Sequence, residues 1–234
     1  MNAVSDMLAT SEQAESLLRG ASERNCTACG TAFVGFLSPL CDPCVEKERA
    51  KHAATTRSSF RFDKTFPQRA IRDTRTMRGP AMAKAKEILP LIRKPGQGAI
   101  LVVLGDRCTG KTVMATWWAG MLGYGRYVKA FDLFAELRRT YHEDSKTKEH
   151  EVLAKYRDAN FLVIDEAQDR KESEWEQTIL TNLIDKRYDA LRPTVIIANL
   201  KLDGIDACLG ASIISRCIRT GGGIIECTWP PYSG

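Results

Sequence analysis

The chain has 234 residues, of which 44% are hydrophobic and 27% are charged, and its formal net charge is +5 at pH 7. This length accommodates one full α/β domain of about 150 residues and a small additional module. No apolar run approaches the ~18 residues that span a bilayer, and Met1 to Gly20 lacks the basic start and apolar middle of a signal peptide. These features exclude an integral membrane protein and predict a cytoplasmic one with no membrane partner.

The amino-terminal part of the chain predicts a short helix followed by a metal-binding knuckle. Ser5 to Arg24 is polar with scattered Leu and Ala, which favours a helix. Half of the eight cysteines then follow in a C-x2-C-x11-C-x2-C pattern, at Cys26, Cys29, Cys41 and Cys44. In a reducing compartment such clustered cysteines indicate metal ligands, and two pairs can close a tetrahedron of thiolates around Zn²⁺. We therefore predict a structural zinc site; four reduced, buried cysteines without metal are the alternative.

Positive charge is concentrated in the segment that follows. From Arg49 to Arg78 there are seven Arg and two Lys against two Asp, a net of +7, so the remainder of the chain sums to −2. Such a concentration indicates contact with a polyanion. Within it, aromatic and basic side chains alternate: Phe60, Phe62 and Phe66 with Arg57, Arg61, Lys64 and Arg69. This mixture is typical of single-stranded DNA binding, although a tether whose phenylalanines dock on the neighbouring domain fits equally well.

Beyond a helix predicted at Ala81 to Arg93 and a turn at "KPGQG", short apolar strands alternate with helices. This alternation predicts a parallel sheet flanked by helices. The predicted strands are Ala99 to Leu104, Arg126 to Phe131, Phe161 to Asp165, Thr194 to Asn199 and Ile224 to Trp229. A core-facing helix is predicted between the third and fourth, where Trp175, Ile179, Leu180, Leu183 and Ile184 recur at helical spacing.

A nucleotide site is predicted where the first of these strands meets its helix. Gly105, Gly110, Lys111 and Thr112 match G-x4-G-K-[ST], the phosphate-binding loop. The whole loop is expected to contact nucleotide: Gly105, Asp106, Arg107, Cys108, Thr109, Gly110, Lys111, Thr112 and Val113. Its backbone N–H groups would face the phosphates, the lysine would reach the β- and γ-phosphates, and the threonine hydroxyl would bind Mg²⁺.

Polar residues at the ends of later strands complete the predicted site. Asp165, in "FLVIDEAQ", would hold Mg²⁺ directly or through water, and Glu166 is placed to polarise the attacking water. Asn199, in "TVIIANL", would orient water or the γ-phosphate, because parallel strands gather their ligands at one edge of the sheet. Arg216, with Arg219 three residues on, could stabilise a transferring phosphoryl group from a neighbouring subunit, or be a plain surface arginine.

These ordered pieces, with "IISRCI" and "GGGIIECTWPPY", resemble AAA+ ATPases of the DnaC-type helicase loaders and the related IstB transposition ATPases. The resemblance spans roughly Gly96 to Tyr232. It implies Walker A at Lys111 and Thr112, Walker B at Asp165 and Glu166, sensor 1 at Asn199 and an arginine finger at Arg216. Only 18 residues follow Arg216, which resembles the loaders that lack a helical lid.

The resemblance implies a function and a division of the chain. We expect an amino-terminal zinc module for helicase interaction at 1–50, a basic linker at 51–78 and a lidless AAA+ domain at 79–234. The expected protein loads a hexameric replicative helicase onto single-stranded DNA in a bacterial cytosol, assembling as a ring or spiral. Its ATP hydrolysis, weak in isolation, would time helicase release. An IstB-type regulator of transposition that binds duplex DNA is the alternative, and a zinc-containing adaptor with little turnover is another.

Overall fold

The structure is a computed structural model that describes residues 22–35, 41, 43, 44, 47, 63–169 and 173–231. The chain divides into two compact units between residues 59 and 60. Residues 5–21 of the predicted first helix lie outside the described ranges, as do Arg57, Phe60, Arg61 and Phe62 of the basic segment. Among the described helices, none combines the length and the apolar composition that crossing a bilayer demands.

The amino-terminal unit contains an antiparallel strand pair. Strand β1 (Ser22–Asn25) pairs with β2 (Ala32–Gly35), and Asn25 lies opposite Ala32. The turn between them begins at Cys26, whose N–H donates to the carbonyl of Thr31 at 2.9 Å. The prediction of helix up to Arg24 is therefore wrong for its last three residues, because pairing with β2 overrides a weak local helical preference.

A parallel sheet of five strands forms the centre of the second unit. The strands are β3 (Ile100–Gly105), β4 (Arg126–Lys129), β5 (Leu162–Asp165), β6 (Thr194–Ile197) and β7 (Gly223–Cys227). Their order across the sheet is β4-β5-β6-β3-β7, and each neighbouring pair is parallel. The predicted parallel sheet is thus confirmed.

Eight helices accompany the sheet in the described part of this unit. They are α1 (Gln68–Asp73), α2 (Gly79–Arg93), α3 (Lys111–Leu122), α4 (Ala130–Arg139), α5 (Glu149–Arg157), α6 (Glu174–Asp189), α7 (Ile205–Leu209) and α8 (Ala211–Arg219). Helix α6 contains the predicted core-facing helix, and α2 the one predicted before the turn. The strand expected at Arg126 to Phe131 is shorter, because the chain enters α4 directly at Ala130.

The sheet separates two hydrophobic layers. Side chains of β3 alternate between them: Ile100, Val102 and Leu104 face the layer of α4 to α8, whereas Leu101 and Val103 face the layer of α1 to α3. Such alternation is expected for strands covered by helices on both faces. The core is therefore an α/β/α sandwich.

A buried arginine joins several segments on the α6 side. Arg187 donates to the main-chain carbonyls of Tyr156, Arg157 and Ala159 at 2.7–2.9 Å, and its Nε donates to the hydroxyl of Thr194 at 2.8 Å. Burial lowers the pKa of its guanidinium to about 9. These acceptors include the last carbonyls of α5, so the arginine replaces the hydrogen bonds that a helix end otherwise lacks.

The carboxyl half of the basic segment belongs to the same compact unit as the sheet. Helix α1 packs on α3, and Phe66 and Met77 are buried in the layer beneath them. The division into linker and ATPase domain at residue 79 stays a prediction. What the structure adds is that Phe66, Ala70 and Met77 of this segment are buried in the core.

Candidate nucleotide and metal sites

The loop between β3 and α3 has the conformation of a phosphate cradle. Cys108 and Gly110 adopt left-handed backbone angles, with φ of 63° and 86°, and α3 begins at the next residue, Lys111. Left-handed residues alternating with right-handed ones turn successive N–H groups toward one concavity, and the helix adds the positive end of its dipole. A non-glycine residue at positive φ is a local strain that is common at binding sites.

The lysine of this motif is hydrogen-bonded to the backbone of the loop itself. Lys111 Nζ donates to the carbonyls of Gly105 and Asp106 at 2.8 and 2.6 Å, and only 5% of the residue is exposed. Burial lowers the pKa of its ammonium, while Cys227 and Asp165 act in the opposite direction. The ammonium that would bind the phosphates is therefore hydrogen-bonded to backbone carbonyls of its own loop.

The two predicted Mg²⁺ ligands are in direct contact. Thr112 Oγ1 donates to Asp165 Oδ2 at 2.7 Å, and Asp165 is 4% exposed at the end of β5. A hydroxyl and a carboxylate oxygen, both hard donors, thus face one point beside the phosphate loop, which fits Mg²⁺. When bound there, Mg²⁺ would neutralise charge on the phosphate oxygens.

Glu166 follows Asp165 in a left-handed conformation, with φ of 54°. Both of its carboxylate oxygens lie near Lys129 Nζ, Oε1 at 3.0 Å and Oε2 at 2.9 Å. The hydrogen bond to Glu166 raises the pKa of Lys129, which favours the charged ammonium. No sequence pattern pointed to Lys129. It reaches the site because the register of β4 and β5 places it opposite Asp165.

Asn199 lies two residues beyond β6, at the same edge of the sheet. Its main-chain N–H donates to Gln168 Oε1 at 2.8 Å, which links it to the short 3-10 helix after Glu166. Gln168 had no sequence signal beyond its place next to the acidic pair. The contact fixes the backbone of Asn199 relative to Asp165.

These groups surround a cleft of about 550 Å³. Its lining includes the loop from Arg107 to Val113, with Asp165, Glu166 and Asn199, and also Pro67, Arg69, Ala70 and Asp73 from the region of α1. The volume suits a nucleotide-sized ligand. The contribution of α1 was not foreseen, because a segment forty residues upstream carries no nucleotide-binding pattern.

Arg216 is placed elsewhere. It lies on α8 and lines a second, smaller cleft, where its Nε contacts Asp185 Oδ1 at 2.6 Å and its guanidinium lies over the ring of Tyr188. It does not line the nucleotide cleft of its own chain. Its role as an arginine finger toward a neighbouring subunit stays a prediction.

The four knuckle cysteines meet in the amino-terminal unit. The sulfur atoms of Cys26, Cys29, Cys41 and Cys44 lie within 4.8 Å of one another, and those of Cys29 and Cys41 are 3.6 Å apart. Thiolates at about 2.3 Å from Zn²⁺ would be roughly 3.8 Å apart, so the cluster fits a tetrahedral zinc site. The N–H of Cys41 lowers the pKa of Cys26 to about 6, whereas contact with Cys29 raises that of Cys44 to about 12.

The sequence model of the family described as IstB-like ATP binding protein matches residues 45–219, well over half of the chain. This chain belongs to that family. As an AAA+ ATPase of the DnaC/IstB type, it carries the family's phosphate loop and acidic strand end within the matched region.

Several curated relatives of this IstB-like protein are named helicase loaders. The replicative helicase loader DnaC of Escherichia coli K12 is 28% identical over 157 residues, which are 65% of this chain and 62% of that protein. The DnaC of Buchnera aphidicola subsp. Baizongia pistaciae is 27% identical over 106 residues, 45% and 43% of the two chains. The IstB-like chain thus spans 43% to 62% of the length of these two relatives.

Solved structures support the fold. A crystal structure of the DnaC helicase loader superposes with a TM-score of 0.57 at 18% identity, covering 68% of this chain and 99% of that one. A crystal structure of DnaI gives 0.56 at 19% identity, covering 70% and 93%. Both confirm the α/β architecture of the AAA+ core.

Proposed function

We propose that this protein is an ATP-dependent loader of a hexameric replicative helicase. It would place that helicase on single-stranded DNA, and ATP hydrolysis would switch it to release. The observation that carries the proposal is the assembled nucleotide cleft in a chain several of whose curated relatives are named replicative helicase loaders. The loader would act as a ring or spiral of several copies in the bacterial cytosol.

The cleft contains candidates for most of the groups that hydrolysis requires. In this proposal Lys111 would leave its loop carbonyls to meet the β- and γ-phosphates, and Thr112 and Asp165 would hold Mg²⁺. Glu166 polarises the attacking water once it turns from Lys129, and Asn199 orients that water or the γ-phosphate. Arg216 does not line this cleft, and in the proposal it would leave its pair with Asp185 to reach the cleft of a neighbouring copy. Assembly would then complete the site and raise a weak basal rate.

The basic segment supports a contact with DNA. Its described cationic residues are exposed: Lys64, Arg69, Arg72, Arg75 and Arg78. Exposed cations along one segment track a phosphate backbone, and their contribution to affinity falls with salt. Phe66 is buried against Tyr127, as the docking alternative expects, so base stacking is left to Phe60 and Phe62.

The amino-terminal zinc module is the part of the chain that we propose binds the helicase. Its cysteine cluster would make a small rigid unit, because a segment this short gains its stability from the metal. Contact of this module with DNA is the competing role. Deleting residues 1–50 should abolish helicase retention in the first case and weaken only DNA binding in the second.

The test is co-purification with hexameric helicases. We expect Glu166→Gln, which keeps the cleft but removes the base, to retain the helicase in ATP longer than the wild type, which releases it on hydrolysis. Single-stranded DNA should stimulate the wild-type ATPase. Retention of no helicase under any nucleotide condition would refute the loader.

The family match favours one second candidate. The matching family is described by its IstB-like members, so a DNA-bound ATPase that regulates transposition is the alternative. That protein would prefer duplex over single-stranded DNA and ignore helicases. Competition between the two forms of DNA at equal salt decides between them.

A further inference from the structure

Asp165 is contacted by a tyrosine that takes no direct part in the cleft. Tyr127 Oη donates to Asp165 Oδ2 at 2.9 Å, the same oxygen that accepts from Thr112 at 2.7 Å. Oδ1 accepts the main-chain N–H of Glu166 at 2.8 Å. The carboxylate is therefore held by three donors. Tyr127 is 8% exposed and does not line the nucleotide cleft.

The tyrosine is suited to act as a permanent donor. Its hydroxyl is within 2.9 Å of a carboxylate oxygen, which can only accept, so the phenol is the donor in this contact. Oδ2 of Asp165 therefore accepts two hydrogen bonds, one from Thr112 and one from Tyr127. The hydroxyl proton of Thr112 then stays directed at Asp165, which leaves the lone pairs of that hydroxyl available to a cation.

Tyr127 is itself fixed by residues 63–67, which we call the strap. Thr65 Oγ1 accepts the main-chain N–H of Tyr127 at 3.0 Å, and the ring of Phe66 lies 5.7 Å from the tyrosine ring. Asp63 adds an ion pair with Arg126 at 3.6 Å. Strand β4 is an edge of the sheet, so the strap supplies partners that an edge strand would otherwise lack.

We infer that Tyr127 is a positioning residue for the Mg²⁺ ligand Asp165, and that the strap sets Mg²⁺ affinity by holding Tyr127 in place. The inference rests on the proposed nucleotide site. It assigns a role in metal binding, rather than in tethering, to the strap, which lies just after the division between the two units. Coupling would run through Thr65, Tyr127 and Asp165, each in hydrogen-bond contact with the next.

The experiment measures binding of a fluorescent ATP analogue by the full chain, titrated with Mg²⁺ and repeated in EDTA. Tyr127→Phe removes one oxygen that contacts a charged group. We expect it to raise the Mg²⁺ concentration for half-maximal binding by about 3- to 10-fold. Affinity in EDTA should stay within about 2-fold of wild type, because Asp165 acts through the metal.

Thr65→Val tests the strap and remains informative if Tyr127→Phe does not fold. It should shift Mg²⁺ dependence in the same direction by about 2-fold, and the double variant should shift it by less than the product of the two. Tyr156→Phe is the matched control. Tyr156 is a buried tyrosine outside the cleft, and its hydroxyl lies 2.5 Å from Glu136 Oε2. It should leave Mg²⁺ dependence unchanged.

Three outcomes would overturn the inference: wild-type Mg²⁺ dependence in Tyr127→Phe, an equal loss of affinity in EDTA, or multiplicative effects in the double variant. Failure of the proposed function looks different. A chain that is no loader would retain no helicase, and a chain without a nucleotide site would bind no nucleotide even as the wild type.

Discussion

Replacing Lys129 with methionine should speed ATP hydrolysis. The wild-type ammonium lies 2.9 to 3.0 Å from both oxygens of Glu166, so this carboxylate must leave its ion pair before it can polarise water. The variant keeps the length and packing of the stem but removes the competing charge. We expect kcat to rise while KM for ATP stays unchanged, because Lys129 does not line the cleft.

The size of the effect follows from exposure. The side chains of Lys129 and Glu166 are 43% and 32% exposed, and partly exposed pairs contribute about 0 to 1 kcal/mol. Releasing Glu166 can therefore accelerate hydrolysis by up to about 5-fold, since ~1.4 kcal/mol corresponds to tenfold. Added salt should bring the wild-type rate closer to that of the variant, because it screens the pair.

The assay is steady-state phosphate release, with Lys155→Met as the matched control. Lys155 forms a comparable pair with Glu136 at 2.8 Å, with side chains 37% and 33% exposed, outside the cleft. Its removal should leave kcat unchanged. A tenfold fall in kcat for Lys129→Met would refute the reasoning and assign Lys129 a direct role in the reaction.

Three further predictions concern the metal, the core and assembly. Elemental analysis should find one zinc per wild-type chain and none in Cys44→Ser. Acidification should release the zinc of the wild type, because protons compete for the thiolates. A zinc content unaffected by the substitution would argue against the site. Arg187→Met should lower the free energy of unfolding in urea by about 3 kcal/mol or more, because several buried carbonyls lose their donor; a loss below ~1 kcal/mol would contradict this. Arg216→Ala should bind nucleotide as the wild type does yet lack assembly-stimulated hydrolysis, and mixing it with Glu166→Gln subunits should restore activity only if the arginine acts between copies.

The architecture was largely predictable because it depends on local patterns. Apolar runs of five or six residues, each followed by a helical segment, specify parallel strands wherever both faces are covered. The phosphate loop and Asp165 occupy strand ends, so their meeting followed from the rule that parallel strands place their carboxyl ends at one edge. The strand at Ser22 was missed because its pairing partner lies beyond the cysteine turn.

The surroundings of the site were less predictable, because they depend on register and on packing across layers. Lys129 reaches Glu166 only because β4 and β5 align Lys129 with Asp165. In the sequence, Tyr127 looks like an ordinary core aromatic within a strand. Its role can be inferred only from the contact between its hydroxyl and Asp165. Arg69 enters the cleft through the docking of α1, which no spacing in the sequence encodes.

The first glycine of the phosphate loop also has a consequence for mutational scans. Gly105 has a φ of 131°, and a Cβ added there would meet the carbonyl oxygen of Cys227 on β7 at 2.5 Å. An alanine at this position would push β3 and the edge strand β7 apart whether or not nucleotide is present. Inactivity of such a variant would therefore report on the integrity of the sheet, and would be uninformative about phosphate recognition.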